Sequence, residues 1–400
     1  MSRIDDLVAR LSPSGVPHLP LGEVGAFVRG NGLQKSDLRD QGIPAIHYGQ
    51  IHTYYKVWAV ETKSFVDPSL ANRLKKASTG DLVIATTSED DAAVGKATAW
   101  LGDSDVAVSG DAYIYHHSLD PKYVAYYFQS DAFQSQKVRF ISGTKVRRIS
   151  GDSLSKIKIP VPTLEVQQEV VRILDKFTRL EAELEAELEA RRRQFQTFRR
   201  VLVLGDQEGD ASPLGEYFRF GGINVTPDRM PEAEVSIFSL PSFDHGRVPE
   251  NLAPAEVGSA KSRISEPCIL IAKLNPHIPR VWKIDALGSG SYASPEFFQL
   301  VPDERLSLDY FEHLIGTLMS TLAGMVTGST NSHKRLQREH LLNLPVHIPS
   351  VERQNQISAL LNRMSTLVGD YNFGLPAEVV ARRKQYEYYR DKLLTFEEAA

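Results

Sequence analysis

"LSKIKIPVPTLEVQQEVVRILDKF", Leu154 to Phe177, lies without a gap over "LLNLPVHIPSVERQNQISALLNRM", Leu341 to Met364, at a constant offset of 187 residues. Leu154/Leu341, Pro162/Pro349, Glu165/Glu352, Gln167/Gln354 and Leu174/Leu361 are identical pairs. Upstream the same offset aligns "GDLVIAT" (Gly80 to Thr86) with "PCILIAK" (Pro267 to Lys273), and Tyr123 with Tyr310. "PLGE" at Pro20 to Glu23 recurs at Pro213 to Glu216, and "ARRRQFQTFRRVL" (Ala190 to Leu202) matches "ARRKQYEYYRDKL" (Ala381 to Leu393) at an offset of 191. An internal repeat governs the reading of a whole fold. The order here is module, helix, module, helix.

Each module reads as mixed α and β. Short β-rich runs, "PAIHYGQIHTYY" (Pro44 to Tyr55), "DLVIATT", "DAYIYHH" (Asp111 to His117), "EVSIFSL" (Glu234 to Leu240) and "EFFQLV" (Glu296 to Val301), are separated by Gly, Pro, Asp and Ser. One helix per module follows, with Asp120 before Pro121 and Ser307 as N-terminal signals. The expected class is α+β: two α/β-mixed domains, 1–150 and 206–340, separated by a long antiparallel two-helix coiled coil, 151–205 and 341–400, in a pseudo-twofold internal repeat.

The helical segments carry narrow apolar seams. After Pro162, where Thr163 can act as a cap, Val166, Val170, Ile173, Phe177, Leu180, Leu184 and Leu188 lead on to Phe195, Phe198 and Leu202. Steps of 4 and 3 alternate, apart from a 4-4 step inside "LEAELEAELEA" (Leu180 to Ala190) and a seam position taken by Arg191; this is a coiled-coil pattern with a stutter. The second seam runs Ile357, Leu361, Met364, Val368, Tyr371, Leu375, Val379, Arg382, Tyr386, Tyr389, Leu393. Two matching seams predict mutual packing, antiparallel because a folded module must return between them. Gly374 and Pro376 oppose helix continuation and predict a kink or break near 372–376. About 40 helical residues would span roughly 60 Å.

At 400 residues the chain exceeds the size of one growing core, which favours two or more domains. Asp5 and Asp6 stand where a signal peptide would be basic and then apolar, and no stretch approaches the ~18 apolar residues of a membrane span. A cytoplasmic chain is therefore expected. Cys268 is alone, which excludes a disulfide framework and a cysteine zinc site. The net charge of -4 does not by itself point to nucleic acid, so local grouping of the positive charge matters.

Catalytic motifs are missing. "FVRGNG" (Phe27 to Gly32) and "NPHIP" (Asn275 to Pro279) fall short of an adenine methyltransferase's glycine loop and Asn/Asp-Pro-Pro-aromatic motif and read as turns. "VGKAT" (Val94 to Thr98) lacks the first glycine of a phosphate loop. "ETK" (Glu61 to Lys63) lacks the upstream carboxylate of a nuclease site, and His47, His52, His116 and His117 have no metal-site spacing. The chain is expected to be no enzyme, with no cofactor or metal of its own.

Phosphate contacts need Lys, Arg, hydroxyls and backbone N–H groups, while base reading needs bidentate Arg, Asn, Gln or Lys. The clearest group is "SGTKVRRIS" (Ser142 to Ser150), with Gly143, Thr144, Lys145, Arg147 and Arg148. Its counterpart, "TGSTNSHKRLQ" (Thr327 to Gln337), carries Ser332, His333, Lys334 and Arg335, and both precede the spacer helix by the same distance. Tyr48, Gln50 and Lys56 in "HYGQIHTYYK" and Lys273, Asn275 and Arg280 in "AKLNPHIPR" are further candidates. The plainer alternatives are solvated loops for the first two stretches and half-exposed strand or turn for the others. Dissimilar loops predict different half-sites.

Three stretches together, the opening "IDDLVARLSPSGVPHLPLGEV", "IPVPTLEVQQEVVRILDKF" with its second copy, and the closing "GLPAEVVARRKQYEYYRDKLLTF", resemble the specificity subunit of type I restriction-modification systems over essentially the whole chain. The resemblance implies two target-recognition domains, each reading half of a bipartite sequence in double-stranded DNA. It implies helices that bind two adenine methyltransferase (modification) subunits, and restriction subunits with translocase and nuclease activity that join them. AdoMet, ATP and Mg would reside on those partners. Leu180, Leu184 and Leu188 then become spacer positions, and Arg191, Arg192, Arg193, Arg382, Arg383 and Lys384 candidate partner contacts beside the plainer reading of a solvated helix face. The second domain departs from a basic surface, with 12 Lys+Arg against 18 Asp+Glu over 206–340. The competing reading is a coiled-coil protein-binding scaffold with no role in reading DNA.

Overall fold

In the computed structural model, residues 6, 9–11, 13–205, 210–288, 290–326, 334–369 and 374–399 are described. The helices used below are α1 (Tyr48–Thr53), α2 (Pro121–Tyr127), α3 (Asp131–Lys137), α4 (Leu164–Leu204), α5 (Leu308–Met325), α6 (Val351–Gly369) and α7 (Gly374–Leu393). The chain divides into two units, Met1–Leu184 with Val379–Ala400, and Glu185–Glu378. Both mix helices with sheets. No helix among the described residues is long and apolar enough to cross a membrane.

In the first unit, Leu82–Ala85 is a strand buried on both faces, as its unbroken apolar run requires. It sits third in a sheet ordered Gly25–Arg29, Ala112–His117, Leu82–Ala85, Lys96–Trp100 and Trp58–Ala59. Helix α2 buries Tyr123, Val124, Ala125, Tyr126 and Tyr127 in the same core. Its tyrosine hydroxyls are all used: Tyr123 donates to the Pro160 carbonyl at 2.9 Å, Tyr126 to Asp175 at 2.8 Å and Tyr127 to the Lys158 carbonyl at 2.5 Å. Large rings are thereby buried without an unsatisfied polar end. Val166, Val170, Val171 and Leu174 of α4 and Tyr386 of α7 complete this core. Phe177 stacks on Tyr389 at 5.3 Å, and Glu181 pairs with Arg383 at 2.9 Å. Rising numbers on α4 thus meet falling numbers on α7.

In the second unit the corresponding run Cys268–Ala272 is again fully buried, in a sheet ordered Phe218–Phe220, Phe297–Pro302, Cys268–Ala272 and Val281–Ile284. Helix α5 lays Tyr310, Phe311, Leu314, Ile315, Leu318, Met319 and Leu322 into a core shared with Phe195 and Val203 of α4 and Ile357 and Leu361 of α6.

The repeated motifs make the same bonds in each unit. Leu21 N donates to the Ile157 carbonyl and Leu214 N to the Leu344 carbonyl, both at 2.8 Å. Beside them His18–Pro20 pairs antiparallel with Lys158–Pro160, and Ser212–Pro213 with Pro345–Val346. The "PLGE" copies therefore serve as seats for the entry to each long helical segment.

Two expectations need correction. The β-rich reading of Pro44 to Tyr55 holds only at its start, since Ile43–Ile46 is a strand but Tyr48–Thr53 is helix α1. His47 and Gln50 form a reciprocal cap there: His47 Nδ1 accepts from Gly49 N at 3.2 Å, and Gln50 Oε1 from His47 N at 3.1 Å. This local hydrogen bonding outweighs the β preference of the aromatic run. The single helix expected after Asp120 is two, because Ser130 caps a fresh start by accepting from Phe133 N at 3.3 Å. The expected kink near 372–376 falls partly on 370–373, outside the described residues. Helix α6 ends at Gly369, and α7 begins at Gly374 with Pro376 in its first turn, where a missing N–H is harmless.

Candidate nucleic-acid interface

The basic loop of the first unit is a closed hairpin. Ser142 and Arg148 exchange backbone hydrogen bonds of 2.9 and 2.8 Å, and Arg147–Arg148 pairs antiparallel with Thr87–Ser88. Gly143 turns the chain at φ +90, and a Cβ there would collide with the Val146 carbonyl. Ile149, buried, anchors the loop's end through its N–H to the Thr86 carbonyl at 3.1 Å. Within this frame the cations separate by role. The Arg147 guanidinium forks onto Asp91, with Nη2 to Oδ2 at 2.7 Å, and also donates to the Gly143 carbonyl. That hydrogen bond holds the Asp91 carboxyl below its usual range. Thr144, Lys145 and Arg148 are exposed, and neither Lys145 nor Arg148 has a side-chain partner among the described residues.

Asp91 is itself positioned from behind. Lys137, wholly buried, donates to the Val94 carbonyl at 2.7 Å and the Ala92 carbonyl at 3.1 Å, and burial pushes its ammonium down to about 8.

The strand Thr87–Ser88 also joins this hairpin to α1, because His52 Nε2 lies 3.0 Å from the Thr87 carbonyl. Tyr48 opens α1 and, with His47, Arg29, Asn31 and Gln34, lines a cavity of about 490 Å³. Gln50 is committed to the fold, since its amide also donates to Ser64 Oγ at 2.7 Å. Lys56 is exposed and has no side-chain partner among the described residues.

In the second unit two of the candidate stretches come together. Leu274 bridges to Arg335, Asn275 N donates to the Lys334 carbonyl at 3.1 Å, and Leu336 N to the Lys273 carbonyl at 2.8 Å. The last bond is the counterpart, 187 residues on, of Ile149 to Thr86. Arg335 pairs with Glu296 at 2.7 Å, and Arg280 forks onto Asp244 at 2.7 and 2.8 Å. Lys273 Nζ reaches the Pro295 carbonyl at 2.5 Å over the Phe298 ring, and burial lowers its pKa. Asn275 adopts a left-handed φ of +52, and its Oδ1 is buried without a partner among the described residues. Ser332 and His333 lie outside the described residues.

A family model for the type I restriction modification DNA specificity domain matches residues 13–190. The chain is 29% identical over 282 residues, 64% of its length and 67% of the relative's, to the specificity subunit of a type I restriction enzyme from Escherichia coli. These matches support a specificity subunit of a type I restriction-modification system. A putative type I restriction enzyme specificity subunit of Haemophilus influenzae is 27% identical over 275 residues, covering 65% of this chain and 69% of that one. A chain from a structure concerned with complex assembly and conformational transition of the type I R-M system superposes with a TM-score of 0.62 at 16% identity, over 95% of this chain and 97% of that one. The specificity-subunit family reads DNA sequence and is non-catalytic.

On the helices of this chain, Leu180 is 49% exposed, Leu184 is half-buried and Leu188 is buried. Arg191 pairs with Glu187 at 3.2 Å, Arg192 is half-buried and Arg193 is exposed. Arg382 donates to Gln385 at 3.2 Å, Arg383 is engaged by Glu181, and Lys384 is exposed. The sequence did not reveal the carboxylates that organise the cations, Asp91, Asp244 and Glu296, because each lies tens of residues from its arginine.

Proposed function

We propose that this specificity subunit reads a bipartite, asymmetric target in double-stranded DNA, one half by each unit, and contributes no catalysis of its own. The paired helical segments form an antiparallel two-helix spacer that sets the gap between half-sites and docks two adenine methyltransferase subunits, to which restriction and translocase subunits add. AdoMet, ATP and Mg are bound by those partners, in the cytoplasm. The observation that carries the reading is the placement of Lys145 and Arg148: both are exposed and unpaired among the described residues, on a hairpin whose frame recurs in the second unit at Lys273 to Leu336. Phosphates need such uncommitted cations on a fixed backbone.

The test is methylome sequencing of cells that express this chain with its methyltransferase subunits. A split motif with methyladenine in each half is expected. A continuous motif, or methylation independent of this chain, would defeat the proposal. A scaffold without a DNA role would assemble with its partners, and changes at Lys145 and Arg148 would leave the salt dependence of DNA binding by the complex unaltered.

A further inference from the structure

In the Glu185–Glu378 unit, the end of α4, helix α5 and the loop before Val281 enclose a cavity of about 490 Å³. Its cationic lining is Arg199, Arg200, Arg247 and His277, joined by the hydroxyl residues Thr317 and Ser320, and no carboxylate is among its described lining residues. Arg247 and His277 lie within 206–340, where acids outnumber bases by 18 to 12, and Arg199 and Arg200 come from the end of α4.

Unlike Arg280 and Arg335, none of these four cations donates a hydrogen bond to a carboxylate among the described residues. Arg199 is fixed by donation to the Gly316 carbonyl at 2.8 Å and to Gln196 Oε1 at 2.6 Å, while its Nε is buried with no partner among the described residues. An unspent, desolvated guanidinium N–H is unfavourable, and a bound anion can satisfy it. Arg247 stands at a left-handed φ of +59 with its guanidinium over the Phe243 ring at 4.7 Å, and the nearest carboxylate oxygen, of Glu312, is 4.0 Å away. Arg200 and His277 are exposed, and neither has a side-chain partner among the described residues. The local acids, Asp244, already forked by Arg280, and the half-buried Glu312, line an adjoining cavity that Arg199 and Arg247 also border.

We propose that Arg199, Arg200, Arg247 and His277 form a phosphate site that holds a backbone phosphate of the DNA beside the half-site read by this unit; the inference rests on the DNA-reading function above. Guanidinium groups with hydroxyls and an imidazole are a donor set suited to a phosphodiester oxygen pair. The cavity wall formed by Pro276, His277 and Pro279 belongs to the same loop as Asn275, whose N–H is bonded to Lys334, so the site continues the candidate DNA surface. Phosphate contacts position a protein without choosing bases. The site therefore sets affinity and register, and leaves the target sequence unchanged.

The test uses the assembled methyltransferase complex and a duplex carrying its methylated sequence, with the variants Arg200→Gln plus His277→Gln, Arg247→Gln, and Arg200→Lys. Each phosphate contact removed lowers the magnitude of the slope of log K against log salt by about 0.9, which is about a three- to fourfold difference in affinity change between 50 and 200 mM salt. Arg200→Lys retains most of the slope, and the methylated sequence stays the same in every variant. An unchanged slope with site-specific methylation intact overturns the phosphate site alone. Poorer recovery of methyltransferase subunits at an unchanged slope also overturns it, assigning the cavity to a protein partner. Absence of sequence-specific binding by the unmodified complex overturns the DNA-reading function and the site together. If Arg247→Gln melts early, the exposed Arg200 and His277 pair still gives the answer.

Discussion

Gln167 accepts a 2.9 Å hydrogen bond from the backbone nitrogen of Asp120, the residue that caps helix α2. Its amide donates at 2.8 Å to the Pro162 carbonyl, just ahead of α4. In the second unit Gln354 accepts from Ser307 N, the cap of α5, at 2.7 Å and donates to the Pro349 carbonyl at 2.8 Å. Both glutamines are buried, so each ties the module's helix to its long helical segment with no water to substitute. Gln167→Ala and Gln354→Ala should each lower stability by about 1–3 kcal/mol in denaturant titration, the cost of stranding a buried donor and acceptor. Midpoints equal to that of the parent chain would show that these bonds carry no load.

The hairpin predicts a division among its cations. Changing Lys145 and Arg148 to Gln should leave the melting temperature near that of the parent while flattening the salt dependence of DNA binding by about 0.9 per phosphate contact. Arg147→Gln should instead release Asp91 and loosen the hairpin, which hydrogen exchange at the Ser142 and Arg148 amides would report as faster opening. Equal effects of all three changes on the salt slope would refute the division.

How far the sequence alone reached is clearest at these same residues. The identity of Gln167 and Gln354 was visible as a repeat, and the strands Leu82–Ala85 and Cys268–Ala272 were visible because a strand buried on both faces is written as an unbroken apolar run. Helix α1 was not legible: its aromatic composition favours a strand, and the deciding bonds, between His47, Gly49 and Gln50, are side-chain caps. Nor could the sequence separate Arg148 from Arg147, since the carboxylate that engages Arg147 is 56 residues away. The cavity of Arg199, Arg247 and His277 draws on three distant segments, and none of the three has a motif.

Acid should weaken the first unit through His117. Burial pushes this imidazole down to about 4, against the opposing pull of Asp81. The unfolded chain binds this proton near pH 6.5, so between pH 6.5 and 4 the unfolded state holds more protons and stability falls as pH falls. Above pH 6.5 the contribution is fully present; by pH 4 up to about 3 kcal/mol is lost. His117→Gln should remove that part of the acid limb in melting temperature measured against pH. A limb of unchanged steepness would place the acid sensitivity elsewhere.

The tetrad repeat gives the most direct handle on spacing. Leu180, Leu184 and Leu188 pass from 49% exposed through half-buried to 9% exposed, as expected when steps of four residues overrun a 3.6-residue turn by about 40° each. Removing Leu184 to Glu187 takes out one unit and ~6 Å of helix while sparing the Glu181–Arg383 pair. One unit corresponds to about one to two base pairs of rise and nearly preserves rotational phase on DNA that turns every ~10 to 10.5 pairs. The methylome of cells carrying this deletion, with the partner subunits, should show the same two half-sites closer together by one or two pairs. Altered half-sites with an unchanged gap would mean that this helix does not set the distance.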